Sequence, residues 1–418
     1  MNLHRRIIFH VDVNSAFLSW SAVDRLAKNP DSTDLRTIPS AVGGDIESRH
    51  GIILAKSLPA KKYDIHTGEP VVQALRKCPG LVLVPPDFRV YNANSRAFIE
   101  ILEKYAPVVE QVSIDEAFCD MTGTEKLYPS VLEAARRIKD EIRDTLGFTV
   151  NVGIAENKLL AKMASDMEKP DKIHTLYPNE IKEKMWPLPI GDLYGVGRSS
   201  REKFASLHIR TIEDAAGTEL SVLQKAFGSK AGIYIKNAAN GIDDSAVLAE
   251  REAEKSYGNS TTLPVDLTAG NKEDVLKPTL LALADSVASR MRKDGHKGLT
   301  VSVSLKTDKF AVHSRQLTLE EATDSTDEIY RTAVMLFERL WDGRTPVRLI
   351  GVTVSNLDAV SFTQMSLFSV PQEQEKKEKM KRLDQMTDAI RSAYGKSALT
   401  RARLLSDDWT KNVGRKND

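Results

Sequence analysis

Residues 109–120, VEQVSIDEAFCD, place two adjacent acids at the apex of an otherwise apolar, strand-forming run. Residues from Val109 onward read as one strand and 117–121 as its return, with Asp115-Glu116 as the tight turn joining them. Carboxylates packed that closely repel each other and lose hydration. The residues alone leave two readings open, an acidic turn facing water or a pair of acids held ionised by a divalent cation with oxygen ligands. A second stretch about a hundred residues upstream shifts the balance. Residues 6–14, RIIFHVDVN, form another hydrophobic strand whose pleat sends Ile7, Phe9, Val11 and Val13 to one face and Asp12 to the other. One acid on a buried strand beside a hairpin carrying two puts three acids on one sheet. Two-metal phosphoryl and nucleotidyl transfer requires that arrangement, with cations roughly 3.5–4 Å apart, one activating the attacking hydroxyl and the other holding the triphosphate.

At these residues the chain resembles a known family. FHVDVNSAF (residues 9–17) and SIDEA (113–117) resemble the two catalytic motifs of Y-family translesion DNA polymerases, and VGIAENKLLAKMASDMEKP (152–170) is similar to that family's strand and lysine-bearing helix. The likeness runs from residue 1 to about 360, and parts of the tail resemble the branch that contains bacterial DNA polymerase IV and the catalytic subunit of DNA polymerase V. The resemblance implies catalytic residues Asp12, Asp115 and Glu116, two Mg2+ ions held by them with the Val13 carbonyl, and attack of a primer 3′-hydroxyl on a dNTP with loss of pyrophosphate. It implies low fidelity and no proofreading. It places Phe17 under the incoming sugar, where its ring would exclude a ribose 2′-hydroxyl, and assigns Lys61 and Lys158 to the triphosphate. Asn14 and Ala16 depart from the family's commoner acid and aromatic. Leu58 and Lys61 stand where the family usually has a tyrosine and an arginine, so one hydroxyl contact is missing and a bidentate contact becomes a point charge.

The chain has 418 residues and the apolar and charged fractions of an ordinary soluble protein, enough for several domains. No apolar run is long enough for a membrane span and the first residues lack a signal-peptide core, so a cytoplasmic protein is expected. Cys78 and Cys119 lack the spacing of a zinc site or disulfide framework, and the eight histidines are scattered; His10 reads as structural. A net charge of +1 means that any contact with DNA must come from local clusters.

Strands and helices alternate on one sheet with a long insertion after the first strand. The fold class is therefore α/β multidomain, and with the resemblance a right-hand polymerase: an α/β palm (1–15 and 86–175), small inserted fingers (16–85), a helical thumb (176–242), a linker (243–254), a ferredoxin-like βαββαβ little finger (255–358) and a tail (359–418). Within the palm, Ser130 and Glu133 form a capping box opening a helix that ends at Gly147, and residues 149–155 form the last strand. Asn157 caps the next helix, putting Lys158 in a first turn that favours anions.

In the thumb, IGDLYGVGR (190–198) reads as a helix-hairpin-helix turn whose Gly195 and Gly197 let backbone amides, with Arg198, approach a DNA phosphate. Seven basic residues between Arg290 and Arg315 against two aspartates suggest a basic face on the little finger, with Arg292, Lys297 and Arg315 as DNA contacts. In the tail, Gln364, Met365, Leu367 and Phe368 resemble the peptide that docks in the groove of a bacterial sliding clamp. Beyond Pro371 a charged helix carries Met380, Leu383, Met386 and Ile390 on one stripe. The partners expected are primer-template DNA, dNTP and the clamp, with the chain a monomer. Two other functions fit less well: another two-metal nucleotidyl enzyme such as a cyclase, or a clamp-docked DNA-binding protein without activity.

Overall fold

Strand β1 (Ile8–Val13) occupies the middle of a sheet because both its edges and both its faces are used. The computed structural model describes residues 6–44, 51–250, 253–358, 371–395 and 398–404, which fall into two compact units, one of residues up to 250 and one of residues from 253. In the first unit β1 is followed by helix α1 (Ala16–Lys28), strands β2 (Ser40–Gly43) and β3 (Ile53–Lys56), helices α2 (Leu58–Lys61) and α3 (Val71–Lys77), strand β4 (Val82–Val84) and helix α4 (Phe88–Tyr105). The chain then adds β5 (Val108–Gln111), β6 (Glu116–Asp120), α5 (Val131–Leu146), β7 (Val150–Ala155), α6 (Lys158–Ser165) and β8 (Ile173–Thr175).

The main sheet has the order β5-β6-β1-β7-β8, with β1 antiparallel to both neighbours and β8 parallel to β7. The expectation that β7 closes this sheet is corrected by β8, a strand of three residues that is too short to show a period of two. Phe9, Val11 and Val13 face α4 and α5, where Phe98, Ile101, Leu102, Ala135, Ile138 and Ile142 complete the core; Ile8 on the other face meets Leu160, Ala161 and Ala164 of α6.

Local chemistry sets these helices. The Ser130 hydroxyl accepts from the Glu133 amide at 3.1 Å at the start of α5, a cap worth about 1 kcal/mol, and Gly147 ends the helix with φ 75°. Helix α6 lies directly on β7 only because residue 153 is glycine: a Cβ there would sit 2.0 Å from the Ala161 carbonyl oxygen and 2.4 Å from the Ser165 nitrogen. A second, three-stranded sheet, β3-β2-β4, is built from the insertion between β1 and α4 and has its own core around Ile53, Val71 and Ala74. Both cysteines are buried and free. Helices α7 (Ile181–Lys184), α8 (Arg198–Ser206), α9 (Ile212–Gly217), α10 (Leu220–Phe227) and α11 (Ser229–Ala239) follow, packed around Phe204, Ile212, Leu223 and Ile235.

The second unit runs β9 (Ser256–Leu267), α12 (Lys272–Lys293), β10 (Gly298–Thr307), β11 (Val312–Thr323), α13 (Thr326–Leu340) and β12 (Val347–Leu357), the expected βαββαβ order, on an antiparallel sheet β11-β10-β12-β9. Helix α12 opens on a polar first turn containing Glu273 and Asp274, which suits the helix dipole. One sheet face (Val301, Val303, Leu305, Ile350, Val352, Val354) packs on Leu280, Leu283, Val287, Ile329 and Phe337 of the two helices. The opposite face presents small groups, Ser302, Ser304, Thr353, Gly258 and Ser260, which are partly or fully exposed. Helix α14 follows in this unit as the last long helix. It spans Pro371–Tyr394. No helix among the described residues is long and apolar enough to cross a membrane.

Candidate active site

The pairing of β1 with β6 brings the three acids together. Asp12 is the cross-strand partner of Glu116, and the Val13 amide donates to the Asp115 carbonyl at 2.9 Å. The expected two-residue turn at Asp115-Glu116 is corrected: the first strand ends at Gln111, the turn lies over residues 112–115, and Glu116 already belongs to the returning strand. Two cations that the sequence reading missed sit among the acids. Lys162 Nζ lies 2.8 Å from Glu116 Oε2, 3.6 Å from Asp12 Oδ2 and 3.3 Å from Asp166 Oδ2; Lys169 Nζ lies 2.8 Å from Asp12 Oδ1 and 2.9 Å from Asp166 Oδ1. The sequence signal for Lys162 was its place one turn after Lys158 on the face of α6 that meets the sheet, a face fixed by Gly153.

The charges are strongly coupled. Burial raises the Asp115 carboxyl above the ordinary aspartate value, the Ser113 hydroxyl, donating at 2.7 Å, opposes this, and the negative charges of Asp12 and Glu116 add to the rise. Glu116 moves the other way, down to about 2, through the His10 imidazole and then, against the cost of burial, through Lys162. His10 Nε2 is 3.6 Å from Glu116 Oε2, too long for a hydrogen bond, and burial lowers the imidazole's own pKa, so the 2.8 Å bond from Lys162 is the stronger hold. Burial favours a neutral Lys162, yet the bond to Glu116 and the charges of Asp166, Asp12 and Glu116 outweigh it and raise its pKa. His10, expected to be structural, is fully buried with Nδ1 2.7 Å from the Ser165 hydroxyl, and its other ring edge borders the acid cluster.

The donor chemistry fits a hard cation, since Asp12, Asp115 and Glu116 offer only oxygen and carry more negative charge than the adjacent strand ends tolerate unaided. Among the described residues no three acidic, histidine or cysteine side chains converge tightly enough as they stand to hold an ion, and the ammonium groups of Lys162 and Lys169 lie against Asp12 and Glu116.

Above the acids opens a cleft of about 540 Å³, lined by Asp12, Val13, Phe17, Lys61, Asp115 and Lys169 among others. Phe17 lies stacked on Tyr91, ring centroids 4.6 Å apart and 15° from parallel, which fixes its ring at the cleft wall. Lys61 ends α2, whose cap is the Ser57 hydroxyl accepting from the Ala60 amide. Lys56, another cation the sequence reading passed over, lines the same cleft; burial and then the Lys61 charge lower its pKa. Lys158 is a correction. Its ammonium is held by both oxygens of Glu110 at 2.6 and 2.7 Å, lies over the Phe118 ring and is not among the cleft-lining groups.

Elsewhere, Gly195 has φ 86° and Gly197, at the N-cap of α8, has open space around it; Arg198 is exposed. On the second unit Lys297 and Arg315 are exposed, whereas Arg292 is not. Its side chain is 9 % exposed and bonds Asp388 through Nε at 2.6 Å and the Asp324 carbonyl at 2.7 Å. The expectation of Arg292 as a DNA contact is thereby corrected: its charge is consumed inside the unit. The expected stripe on α14 is also not what docks that helix. Leu383, Met386 and Ile390 are exposed, and the buried face carries Asp384 and Asp388. Gln364, Met365, Leu367 and Phe368 lie outside the described residues.

Residues 11–166 match the impB/mucB/samB family, residues 254–367 match that family's C-terminal domain, and residues 191–243 match the DNA polymerase-iota thumb domain. The chain is 43 % identical over 403 residues to DNA polymerase IV of Clostridium acetobutylicum, covering 96 % of this chain and 99 % of that protein. It is 37 % identical over 405 residues to DNA polymerase IV of Alkaliphilus oremlandii, with 96 % and 99 % covered. Among solved structures, a Y-family DNA polymerase chimera superposes with a TM-score of 0.73 at 26 % identity, covering 84 % of this chain and 99 % of that one; DinB from Sulfolobus solfataricus gives 0.54 at 26 % identity, with 84 % and 98 % covered. The motifs, the fold and these likenesses agree: the chain belongs to the impB/mucB/samB family, the Y-family of DNA polymerases.

Proposed function

We infer that this chain is a template-directed DNA polymerase of the translesion type that extends a primer by one deoxynucleotide at a time. The observation that carries the reading is the cleft itself, with Asp12 and Asp115 at its floor, Phe17 on one wall and the cations Lys61, Lys56 and Lys169 around it. Those cations suit a triphosphate, and the stacked Phe17 ring is a fixed surface against which a sugar can be gauged. Glu116, kept ionised by Lys162, and Asp12 are the groups that would hold the divalent cations on which this family depends. We take these to be two Mg2+ ions, which when bound supply activation of the primer hydroxyl and charge neutralisation at the phosphates. Asp115, whose protonated form burial favours, completes the oxygen set with the Val13 carbonyl.

The chain's own contribution is alignment. The sheet register sets the acids, and the second unit offers a bare face of serine, threonine and glycine whose small groups admit a nucleic-acid backbone without side-chain interference. Gly195, Gly197 and Arg198 offer backbone amides and one charge to a second phosphate run, and Lys297 and Arg315 add exposed charge. Contacts of this kind carry no sequence information, as an enzyme acting at arbitrary positions needs. We propose further that Gln364, Met365, Leu367 and Phe368 dock a sliding clamp and that the chain works as a cytoplasmic monomer. Primer extension tests the reading: Asp115→Ala should abolish extension while leaving primer-template affinity within twofold, and unchanged extension would overturn the site. The same assay run with ribonucleotide triphosphates alone separates it from a cyclase, which needs no primer.

A further inference from the structure

Lys162 is more than a helix lysine near the site. Its side chain is 13 % exposed and its ammonium meets three carboxylates: Glu116 Oε2 at 2.8 Å, Asp166 Oδ2 at 3.3 Å and Asp12 Oδ2 at 3.6 Å. Two of these oxygens belong to acids assigned above to the metal ions, and the third belongs to a residue outside the cleft lining. Like charges a few ångströms apart in a partly buried site repel strongly, so the ammonium and a divalent cation cannot both lie against Glu116 and Asp12 at full strength. Asp166 gives the ammonium an alternative: it is half-exposed, sits at the end of α6 one turn beyond Lys162, and already binds that lysine. Lys169 has the same two-sided arrangement, between Asp12 Oδ1 and Asp166 Oδ1.

We propose that Lys162 is a positioning residue that acts as the intramolecular counter-ion of Glu116 and Asp12 and competes with divalent cations for their oxygens, with Asp166 as the carboxylate to which it yields. Lys162 keeps the two acids aligned, and it raises the cation concentration needed to load the site. Asp166 lowers that threshold by holding the ammonium away from the acids. The inference rests on the metal reading given above and adds the residue pair that sets the metal threshold.

The experiment is a titration of the full chain with MgCl2 alone, without nucleotide or DNA, followed by thermal shift and calorimetry. Lys162→Met keeps the stem and removes the charge; the half-saturating Mg2+ concentration should fall at least tenfold, and Lys162→Arg should return it to within threefold of wild type. Asp166→Asn should move it the other way, upward by several-fold, because the ammonium then has only Glu116 and Asp12 to bind. If Lys162→Met does not fold, the Asp166→Asn shift decides alone. A half-saturation unchanged or raised in Lys162→Met, or lowered in Asp166→Asn, overturns the competition. Absence of any Mg2+-dependent shift in the wild type would overturn the metal reading itself, and the inference with it.

Discussion

Replacement of Asp384 by alanine should release helix α14 from the second unit. The Asp384 side chain is 2 % exposed; it accepts from the Thr326 amide at 3.0 Å at the start of α13 and pairs with Arg401 at 2.8 Å and Arg292 at 3.4 Å. Truncation leaves a buried amide without its acceptor and weakens the pairing of the buried Arg292 and the partly buried Arg401, each of which retains one acid: Asp388 at 2.6 Å for Arg292 and Asp285 at 3.2 Å for Arg401. Breaking a buried pair outright costs about 3–5 kcal/mol; with both arginines still partly compensated, the lower end, about 3 kcal/mol, is expected. Asp388 also touches Arg292 and the Ser289 hydroxyl but is 24 % exposed, so water replaces part of what Asp388→Ala removes and the cost should be about 1 kcal/mol. Amide hydrogen exchange of residues 380–394, followed in the full chain, reads both variants: exchange in α14 should accelerate about a hundredfold for Asp384→Ala and under tenfold for Asp388→Ala. Equal effects, or a larger one for Asp388→Ala, would refute the assignment of the buried acid as the anchor.

Other outcomes follow from the same geometry. Lys169→Ala removes a charged hydrogen-bond donor from the cleft and should raise the dNTP KM by about tenfold or more, while Lys158→Ala, whose charge is spent on Glu110, should change it by less than about threefold; steady-state single-nucleotide insertion distinguishes them. Phe17→Ala removes the fixed ring beneath the sugar, and the ratio of kcat/KM for deoxy- over ribonucleotide should fall by about tenfold or more, with no change if the ring is only core. The Asp342 carboxylate, held at about 2 by the Thr345 hydroxyl and then the Arg344 and Thr345 amides, has its folded pKa below its unfolded one. Its stabilisation is therefore complete above the usual aspartate range and is lost as pH falls toward 2, so Asp342→Asn should flatten the acid limb of the second unit's stability curve in that window.

The legible part of the molecule was the part built from near neighbours. Ser130, the 3.6-residue spacing through Ile138 and Ile142, and Gly147 define α5 from its own residues, and the acid-bearing turn lies between two runs of strand-forming residues, though its bounds shifted to 112–115. Strand β8 was missed because three residues carry no period, and Arg292 was misread because its partner lies 96 residues further on.

From the sequence alone came the family, the βαββαβ order and the three acids on one strand and one hairpin, since alternation, capping and turn chemistry act over a few residues and survive without a tertiary context. The folded chain decided which cations meet those acids. Lys162 reaches Glu116 across 46 positions and Lys169 reaches Asp12 across 157, whereas Lys158, the lysine in the favoured first turn, is drawn to Glu110. Contacts of that range depend on strand register and on the close seat of α6 over Gly153, and a charge's partner is set by who lies within a few ångströms once the packing is complete.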